Sequence, residues 1–276
     1  KYDISVDFIT KALAIKPDYA EAHSNLGLTL QNLGKLDEAV NRYRQALTIK
    51  PHYAEALSNL GNIFKDLGQF NEAVDSYNMA LAIKPSFAEA HYNLGNSLQE
   101  LGQPDEAVAS YNKAIAIKPD YAEANYNLAI TLKDLGNLNE AIACYNKAII
   151  INPDYADAHC NLGIALHELW KINEAVASYN KAISIKPNLI EAYNNLGLAL
   201  QDLGKLDEAV ASYNKAIDIK PDYAEAHNNL KLTVKALIFS KPGSYQTGKA
   251  RKNGYSDEAR PSINDARQQF YLDGFR

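Results

Sequence analysis

Seven prolines fall at an unvarying spacing of 34 residues, and this spacing constrains the fold more than any other feature of the sequence. They are Pro17, Pro51, Pro85, Pro119, Pro153, Pro187 and Pro221. The sequence after each proline is nearly the same, so the chain is an array of copies of one short unit. A fixed period of this length is typical of a repeat architecture, in which each unit contacts only its neighbours.

Each unit predicts two helices. In the first copy, Asp18 and Glu21 have the spacing of a capping box, so we expect a helix to begin there with these side chains as its caps. Gly34 supplies the residue that most readily turns left-handed at a helix end. Tyr43 lies on the apolar stripe of a second helix, which ends at Pro51. The predicted fold class is therefore all-α.

Neither helix of a pair can bury its apolar face alone, so neighbouring copies must stack and share one continuous core. Small residues recur in the first helix, at a position where we expect close helix contact. They are Gly27, Gly61, Gly95, Ala129, Gly163 and Gly197. Stacked helix pairs of this kind form a solenoid.

The pattern Asn-Leu-Gly, Leu-Gly, Glu-Ala, Tyr, Ala-Ile/Leu and Pro over 34 residues resembles the tetratricopeptide repeat family. Six full copies carry this resemblance. It implies a right-handed superhelical solenoid of stacked antiparallel helix pairs, whose first helices line a concave groove. It also implies a protein-protein interaction scaffold that binds a peptide or partner protein in that groove.

Alignment of the copies divides the chain into four parts. These are the second helix of a preceding partial repeat (1–16), six complete repeats (17–220), the first helix of a partial seventh repeat (221–239), and a linker with a short C-terminal segment (240–276). Within the last part, residues 263–272 are the candidate for a short helix, which either docks on the array or begins a further domain.

The charge of the array excludes some partners. The formal net charge is -5, and residues 241–276 hold seven basic and four acidic residues, which leaves residues 1–240 with a charge of -8. An acidic array argues against nucleic acid as the main ligand. The sequence also lacks a run of 18 apolar residues, so we expect no membrane partner.

The most informative polar feature is an asparagine in the first helix of every copy. These are Asn25, Asn59, Asn93, Asn127, Asn161, Asn195 and Asn229. Asparagine is a poor helix-interior residue, so its recurrence needs a cause. Stacking aligns the amides into a ladder along the groove, where each offers a donor and an acceptor to the backbone of an extended peptide. The alternatives are that each amide bonds within the array, or that the copies duplicated recently.

Two lysines, Lys65 and Lys133, lie further along the same face. They alternate with glutamine and histidine beside a row of acidic residues. Such mixed charge suits a polar peptide, and it is also typical of any solvated surface. We include both lysines among the candidate ligand-binding residues of the groove.

This part of the chain also resembles the repeat domain of O-linked N-acetylglucosamine transferases. There, corresponding asparagines line the groove and hold substrate polypeptides. The resemblance implies an alternative function, that of a substrate-recruiting domain of a larger glycosyltransferase.

A third hypothesis follows from the two ends of the array, which are complementary half-repeats. Such ends predict a self-assembling structural subunit that joins head to tail. Truncation of a longer chain, or capping of the ends by other segments, explains the same observation.

We find no residues for catalysis or for a cofactor. The sequence contains no phosphate-binding glycine loop and no nucleophile motif, so we expect no enzyme activity. His23, His91, His159 and His227 recur in every second unit, roughly 20 Å apart, whereas zinc ligands converge within about 2 Å of one ion. These histidines are therefore predicted to pack and not to bind metal.

Two further positions carry structural predictions. Cys144 and Cys160 fall at unrelated places in the unit, so we expect no disulfide. Trp170 replaces the turn glycine of the fifth copy, at a cost on the order of 1 kcal/mol if that turn stays left-handed. A bend or a partner contact there, or simple sequence drift, would each explain the tryptophan.

Overall fold

The computed structural model describes residues 2–240, so the candidate helix at 263–272 lies outside the described residues. Contacts divide the chain into two units, Lys1–Leu237 and Ile238–Arg276. The first unit contains the helical array, and the last helix of the array ends at Ser240.

The described residues form fourteen helices, joined by turns of three or four residues. In chain order they are α1 (Tyr2–Ile15), α2 (Ala20–Asn32), α3 (Leu36–Ile49), α4 (Ala54–Asp66), α5 (Phe70–Ile83), α6 (Ala88–Glu100), α7 (Pro104–Ile117), α8 (Ala122–Asp134), α9 (Leu138–Ile151), α10 (Ala156–Glu168), α11 (Ile172–Ile185), α12 (Ile190–Asp202), α13 (Leu206–Ile219) and α14 (Ala224–Ser240).

The helices alternate between two kinds. The even-numbered helices from α2 onward are the first helices of their repeats, and each of α2 to α12 packs against the second helix that follows it. Consecutive first helices from α2 to α12 also contact one another, so they form a continuous layer, and each second helix from α3 to α11 contacts the first helix of the next repeat. The predicted all-α solenoid of stacked helix pairs is confirmed.

The helix starts differ from the sequence prediction. The residue at the N-cap of α2 is Tyr19, with no side-chain capping bond, and the helix begins at Ala20 and not at Asp18. Glu21 bonds Lys50 instead, with 3.1 Å between Oε1 and Nζ. The capping-box prediction was therefore wrong. The aromatic side chain takes the cap position and lies under the Lys16 ammonium, 5.0 Å from the ring centroid.

In five of the six complete repeats, the spacing of the helix pair depends on a contact between a tyrosine ring and a glycine. The second-helix tyrosines are essentially fully buried, and in these five repeats the ring lies over the glycine of its own first helix, whereas the fourth repeat has Ala129 at that position. A Cβ added at Gly163 would lie 2.5 Å from Cε1 of Tyr179, whereas one added at Gly27 would lie 3.0 Å from Cζ of Tyr43. No side chain therefore fits at Gly163 unless the two helices move apart.

The tyrosine hydroxyls beyond these rings meet different surroundings. Tyr111 donates to Oδ1 of Asn96 at 2.8 Å and to Oε1 of Gln99 at 3.2 Å. In the next repeat, Ile130 stands where Asn96 stands in the third. The hydroxyl of Tyr145 there is buried and has no hydrogen-bond partner among the described residues. Burial raises the pKa of both phenols, so both hydroxyls are neutral at physiological pH.

The turn between the paired helices needs a left-handed residue. The glycines there have φ values of 69° to 80° in five copies. In the fifth copy Trp170 adopts the same geometry, with φ of 59°, and its side chain is 74% exposed. The turn thus stays left-handed, and the tryptophan carries the backbone strain with little packing in return.

We expect opposite results from removing two equivalent tyrosine hydroxyls. Tyr111→Phe should lower the free energy of unfolding by about 1 kcal/mol, because it deletes the hydrogen bond whose single proton is shared between Asn96 and Gln99. Tyr145→Phe should leave stability unchanged or raise it, because it removes a buried hydroxyl without a partner. Urea unfolding of the two variants beside the parent measures both effects. Equal losses at the two sites would contradict this account of the hydroxyls.

Relief of the strained turn should stabilise the fifth repeat. Trp170→Gly is expected to raise the free energy of unfolding by about 1 kcal/mol, since glycine adopts positive φ without a Cβ clash. Gly136→Ala, at the equivalent turn of the fourth repeat, is the matched control and should lower stability by a similar amount. Thermal melts of both variants test the pair, and a destabilised Trp170→Gly variant would show that the indole has a stabilising contact.

Candidate functional site

The seven predicted groove asparagines all lie on first helices. Asn25 is exposed, and the other six are half-buried. They therefore line the layer in which consecutive first helices contact one another. Four of their side chains donate hydrogen bonds to the preceding repeat.

Two of these amides donate to another asparagine in the preceding first helix. Nδ2 of Asn93 lies 3.1 Å from Oδ1 of Asn62, and Nδ2 of Asn127 lies 2.8 Å from Oδ1 of Asn96. Asn96 also receives the hydroxyl of Tyr111. The acceptor asparagine thus joins three helices, two from its own repeat and one from the next.

Other amides of the row use the residue that comes just before the preceding asparagine. Asn127 also donates to the hydroxyl of Tyr92 at 3.1 Å, and Asn161 donates to the hydroxyl of Tyr126 at 2.8 Å. Asn229 donates in the same way to Oδ1 of Asn194, at 3.0 Å. The donor side of the row is therefore used within the array at several repeats.

The remaining members of the row make no such bond. Asn195 follows a repeat with Ile164 and Cys160 at the two acceptor positions, and its amide makes no hydrogen bond to any described residue. Asn25 is likewise without a side-chain hydrogen bond in the described part of the chain. Asn59 donates to no residue of the preceding first helix, where Leu28 takes the place that Asn62 has in its own repeat.

The acceptor side of the row is more open. Within residues 2–240, no group donates a hydrogen bond to the side-chain oxygen Oδ1 of Asn93 or of Asn161. Both side chains are nevertheless held in place, because their Nδ2 groups donate to the preceding repeat. Each of these side chains therefore has a set orientation and an oxygen that can accept a hydrogen bond from another molecule.

The two predicted lysines differ in their surroundings. Lys65 is half-buried and forms no ion pair within the described chain. Lys133 is also half-buried, with Nζ at 3.0 Å from Oδ1 of its neighbour Asp134. Elsewhere in the same row, His167 donates from Nε2 to Asp202 of the next repeat at 2.8 Å. The bond from His167 to Asp202 links two consecutive first helices, whereas the contact of Lys133 stays within one helix.

Sequence reasoning missed five residues that belong to this network. They are Asn62, Asn96 and Asn194, whose side-chain oxygens accept the amide bonds, and Tyr92 and Tyr126, whose hydroxyls do the same. Alignment of the copies with one another contains the signal, because these positions are aliphatic or small in the first copy, as Leu28 and Ser24. A polar residue that replaces an aliphatic one at a helix contact indicates a hydrogen bond.

The histidines do not form a metal site. Nε2 of each one donates to the carbonyl oxygen of the proline six residues before it, at 2.9, 3.0, 3.1 and 2.8 Å for His23, His91, His159 and His227. Among the described residues, no group of three or more His, Cys, Asp or Glu side chains could hold a metal ion. Each histidine thus ties the turn that opens its repeat to the following helix.

The two cysteines lie inside the helical array as free thiols. Cys144 and Cys160 are both buried and unpaired, and burial raises the pKa of the Cys160 thiol to about 12. Neither thiol is therefore an activated nucleophile.

In the part of the chain that the structure describes, no helix combines the length and the apolar character that crossing a membrane requires.

Family models match much of the array. A TPR repeat model matches residues 32–68, 61–102, 131–169 and 171–204. Two tetratricopeptide repeat models match residues 88–121 and 190–223, and residues 8–41 and 110–143. No curated protein sequence matches the chain.

Solved structures of similar fold include three with different degrees of sequence identity. YrrB, described as a TPR protein with an unusual peptide-binding site, is 27% identical over 67% of this chain and 95% of its own, with a TM-score of 0.58. MamA is 32% identical over 60% of this chain and 97% of its own, with a TM-score of 0.57. Pseudomonas aeruginosa pilF, at 19% identity over 76% of this chain and 95% of its own, shares the fold with a TM-score of 0.67.

Protonation of a buried histidine should make this array less stable in mild acid. Burial lowers the pKa of His91 below its ordinary value of 6.5, so the unfolded chain binds this proton more readily than the folded chain. Stability at this site is complete above about pH 6.5 and is lost as the pH falls below that value. We expect His91→Asn, which copies Asn125 of the next repeat, to reduce the loss of unfolding free energy between pH 7 and pH 5.

The measurement is urea unfolding of the parent and the variant at both pH values. The carboxylates of Glu21 and Glu55 do not interfere, because their pKa values are lowered from 4.5 and their effect falls at more acidic pH. The same pH dependence in both proteins would exclude His91 as a cause.

Proposed function

The chain belongs to the tetratricopeptide repeat family, and from this premise we propose that its first helices bind an extended polypeptide through the row of asparagine side chains. The single observation that carries the proposal is the orientation of these amides. Several of them are fixed through Nδ2 by the preceding repeat, and the carbonyl oxygens of Asn93 and Asn161 receive no donor from the described chain. A fixed acceptor loses little side-chain entropy when a ligand N–H group binds to it.

The spacing of the row fits an extended main chain. Packed helices lie about 8 to 10 Å apart, and an extended strand rises about 3.3 Å per residue. One asparagine per repeat therefore meets about every third residue of a bound peptide. Hydrogen bonds to the peptide backbone carry no information about side chains, so this row binds with little regard to the ligand sequence.

The relatives support the same use of the fold. YrrB is described by its peptide-binding site, and its array aligns with two thirds of this chain. In this proposal Lys65 and Lys133 lie beside the bound peptide as polar contacts at the edge of the row. The partner is a protein or peptide, and we assign the chain no catalytic step of its own.

The two other functions that the sequence suggests stay predictions. The family models identify the repeat and not a transferase, so recruitment of substrates for a glycosyltransferase rests on resemblance alone. Head-to-tail assembly rests on the complementary half-repeats. We therefore place both behind peptide binding by the asparagine row.

The proposal predicts that peptide binding depends on the amides themselves. A variant with Asn93→Ala, Asn127→Ala and Asn161→Ala should bind extended peptides at least about tenfold more weakly, because each lost hydrogen bond costs about 0.5–1.5 kcal/mol. The measurement is binding of the parent and the variant, both as the full chain, to an array of unstructured 12-residue peptides, followed by affinity measurement in solution.

A matched control separates ligand binding from the stability of the array. Asn62→Leu with Asn96→Leu copies Leu28 of the first repeat and removes two internal acceptors, but it leaves all seven row asparagines in place. This control should be destabilised and should bind peptides more weakly than the parent, because Asn93 loses the bond that orients it, but more tightly than the alanine variant, because the row keeps all of its side-chain oxygens. Unchanged binding by the alanine variant, or no binding by the parent, would overturn the proposal.

A further inference from the structure

A lysine at the end of each second helix recurs as a link between two repeats. Lys50 places Nζ 3.1 Å from Oε1 of Glu21 and 4.4 Å from the ring centroid of Tyr53. One ammonium group thus joins a carboxylate in the first turn of its own repeat to the aromatic ring that opens the next. Ion pairing and cation–π attraction act on the same group.

The second repeat contains the same arrangement. Lys84 lies 3.0 Å from Oε1 of Glu55 and 4.5 Å from the ring centroid of Phe87. The near-equal distances show that stacking brings the carboxylate and the ring within reach of one lysine head.

In two later repeats the lysine contacts one of the two partners. Lys118 lies 4.4 Å from the ring centroid of Tyr121, and Lys186 lies 3.6 Å from the carboxylate of Asp157 where the next aromatic residue is replaced by Leu189. A lysine therefore remains even where one of its two partners is weaker or missing.

The fourth repeat breaks the pattern. Asn152 stands where the other complete repeats have lysine, although Glu123 and Tyr155 are both present at the partner positions. The amide oxygen of Asn152 accepts the backbone N–H of Asp154 at 3.3 Å, so this side chain serves the local turn. Within the described chain, Glu123 is exposed and forms no ion pair.

Neighbouring side chains hold the aromatic ring of Tyr155 in position. The ring centroids of Tyr155 and Tyr126 lie 4.7 Å apart, and the hydroxyl of Tyr126 accepts a hydrogen bond from the side-chain amide of Asn161. Burial, followed by the neighbouring Tyr126 and Tyr92 and the carboxylate of Glu123, raises the pKa of Tyr155, so this phenol is neutral at physiological pH. A carboxylate and an aromatic pair thus face the place that lysine takes in the other repeats.

We propose that Glu123 and Tyr155 form a subsite for the ammonium group of a lysine carried by the bound peptide. The ligand's lysine takes the position that Lys50 and Lys84 hold in their own repeats. This inference rests on the proposed function, since the lysine belongs to a peptide on the asparagine row. It adds a side-chain preference at one register to a row that otherwise binds only the main chain.

The charge of the array agrees with this ligand. Residues 1–240 carry a formal charge of -8, which favours approach of a basic peptide. Asn161 donates a hydrogen bond to the hydroxyl of Tyr126 and is itself a member of the asparagine row. The subsite therefore lies next to the side chains that bind the main chain of the peptide. A peptide on the row can therefore reach the subsite with a side chain of ordinary length.

The test compares lysine with an uncharged side chain of similar length. The probes are acetylated 12-residue Gly-Ser-Ala peptides with one lysine at each position in turn, each paired with its norleucine counterpart. At one position of the peptide, or at a few adjacent positions, the full chain should bind the lysine peptide about fivefold more tightly than its norleucine counterpart.

Three variants of exposed residues make the result specific. Asn152→Lys restores the chain's own ammonium and should remove the lysine preference without weakening the norleucine peptides. Glu123→Gln should also remove it. Glu21→Gln, at a carboxylate that Lys50 already pairs, is the matched control and should leave the preference intact.

The outcomes separate the two proposals. Equal binding of lysine and norleucine peptides by the parent overturns the subsite and leaves binding by the asparagine row standing. A lysine preference that survives both Asn152→Lys and Glu123→Gln places the ammonium elsewhere and also overturns the subsite. No binding of any peptide by the parent overturns both proposals.

Discussion

The contact between a tyrosine ring and a glycine Cα sets the geometry on which the rest of the array depends. The ring of the second helix lies where a Cβ of the first helix would otherwise be, as the 2.5 Å approach at Gly163 shows. This contact fixes the distance within the helix pair in five of the six complete repeats, and repetition of the pair fixes the distance between consecutive first helices. The alignment of the asparagine row follows from that regular spacing, and so does the reach of each lysine to its two partners.

Most of the fold could be predicted from the sequence, because a 34-residue period with glycine, alanine and tyrosine at constant positions permits few arrangements. The helix starts could not be predicted as well. Asp18 and Glu21 have the spacing of a capping box, but tertiary contacts put Tyr19 at the cap and draw Glu21 to Lys50. A local signal of about 1 kcal/mol yields when a neighbouring helix offers an ion pair and an aromatic contact.

The candidate site was predictable in position but not in detail. The recurrence of asparagine marks the row, and stacking puts its members on one face. Which atoms stay open depends on residues that vary between copies, such as Asn62 and Asn96 where Leu28 and Ile130 stand in other repeats. Hydrogen bonds across a repeat boundary depend on pairs of positions about 31 or 35 residues apart, and no single copy contains both members of such a pair.

The supply of acceptors along the row differs from one repeat boundary to the next. The boundaries crossed by the amides of Asn93, Asn127 and Asn161 are tied by hydrogen bonds from the row itself. At the boundary before Asn195 the amide makes no such bond, and the side chains of His167 and Asp202 link the two first helices instead. Directional bonds resist a change in the angle between neighbouring repeats more strongly than apolar contacts, which can slide. Each joint of the array is therefore held by its own side chains, so the angle at one boundary can change by substitution while the others keep theirs.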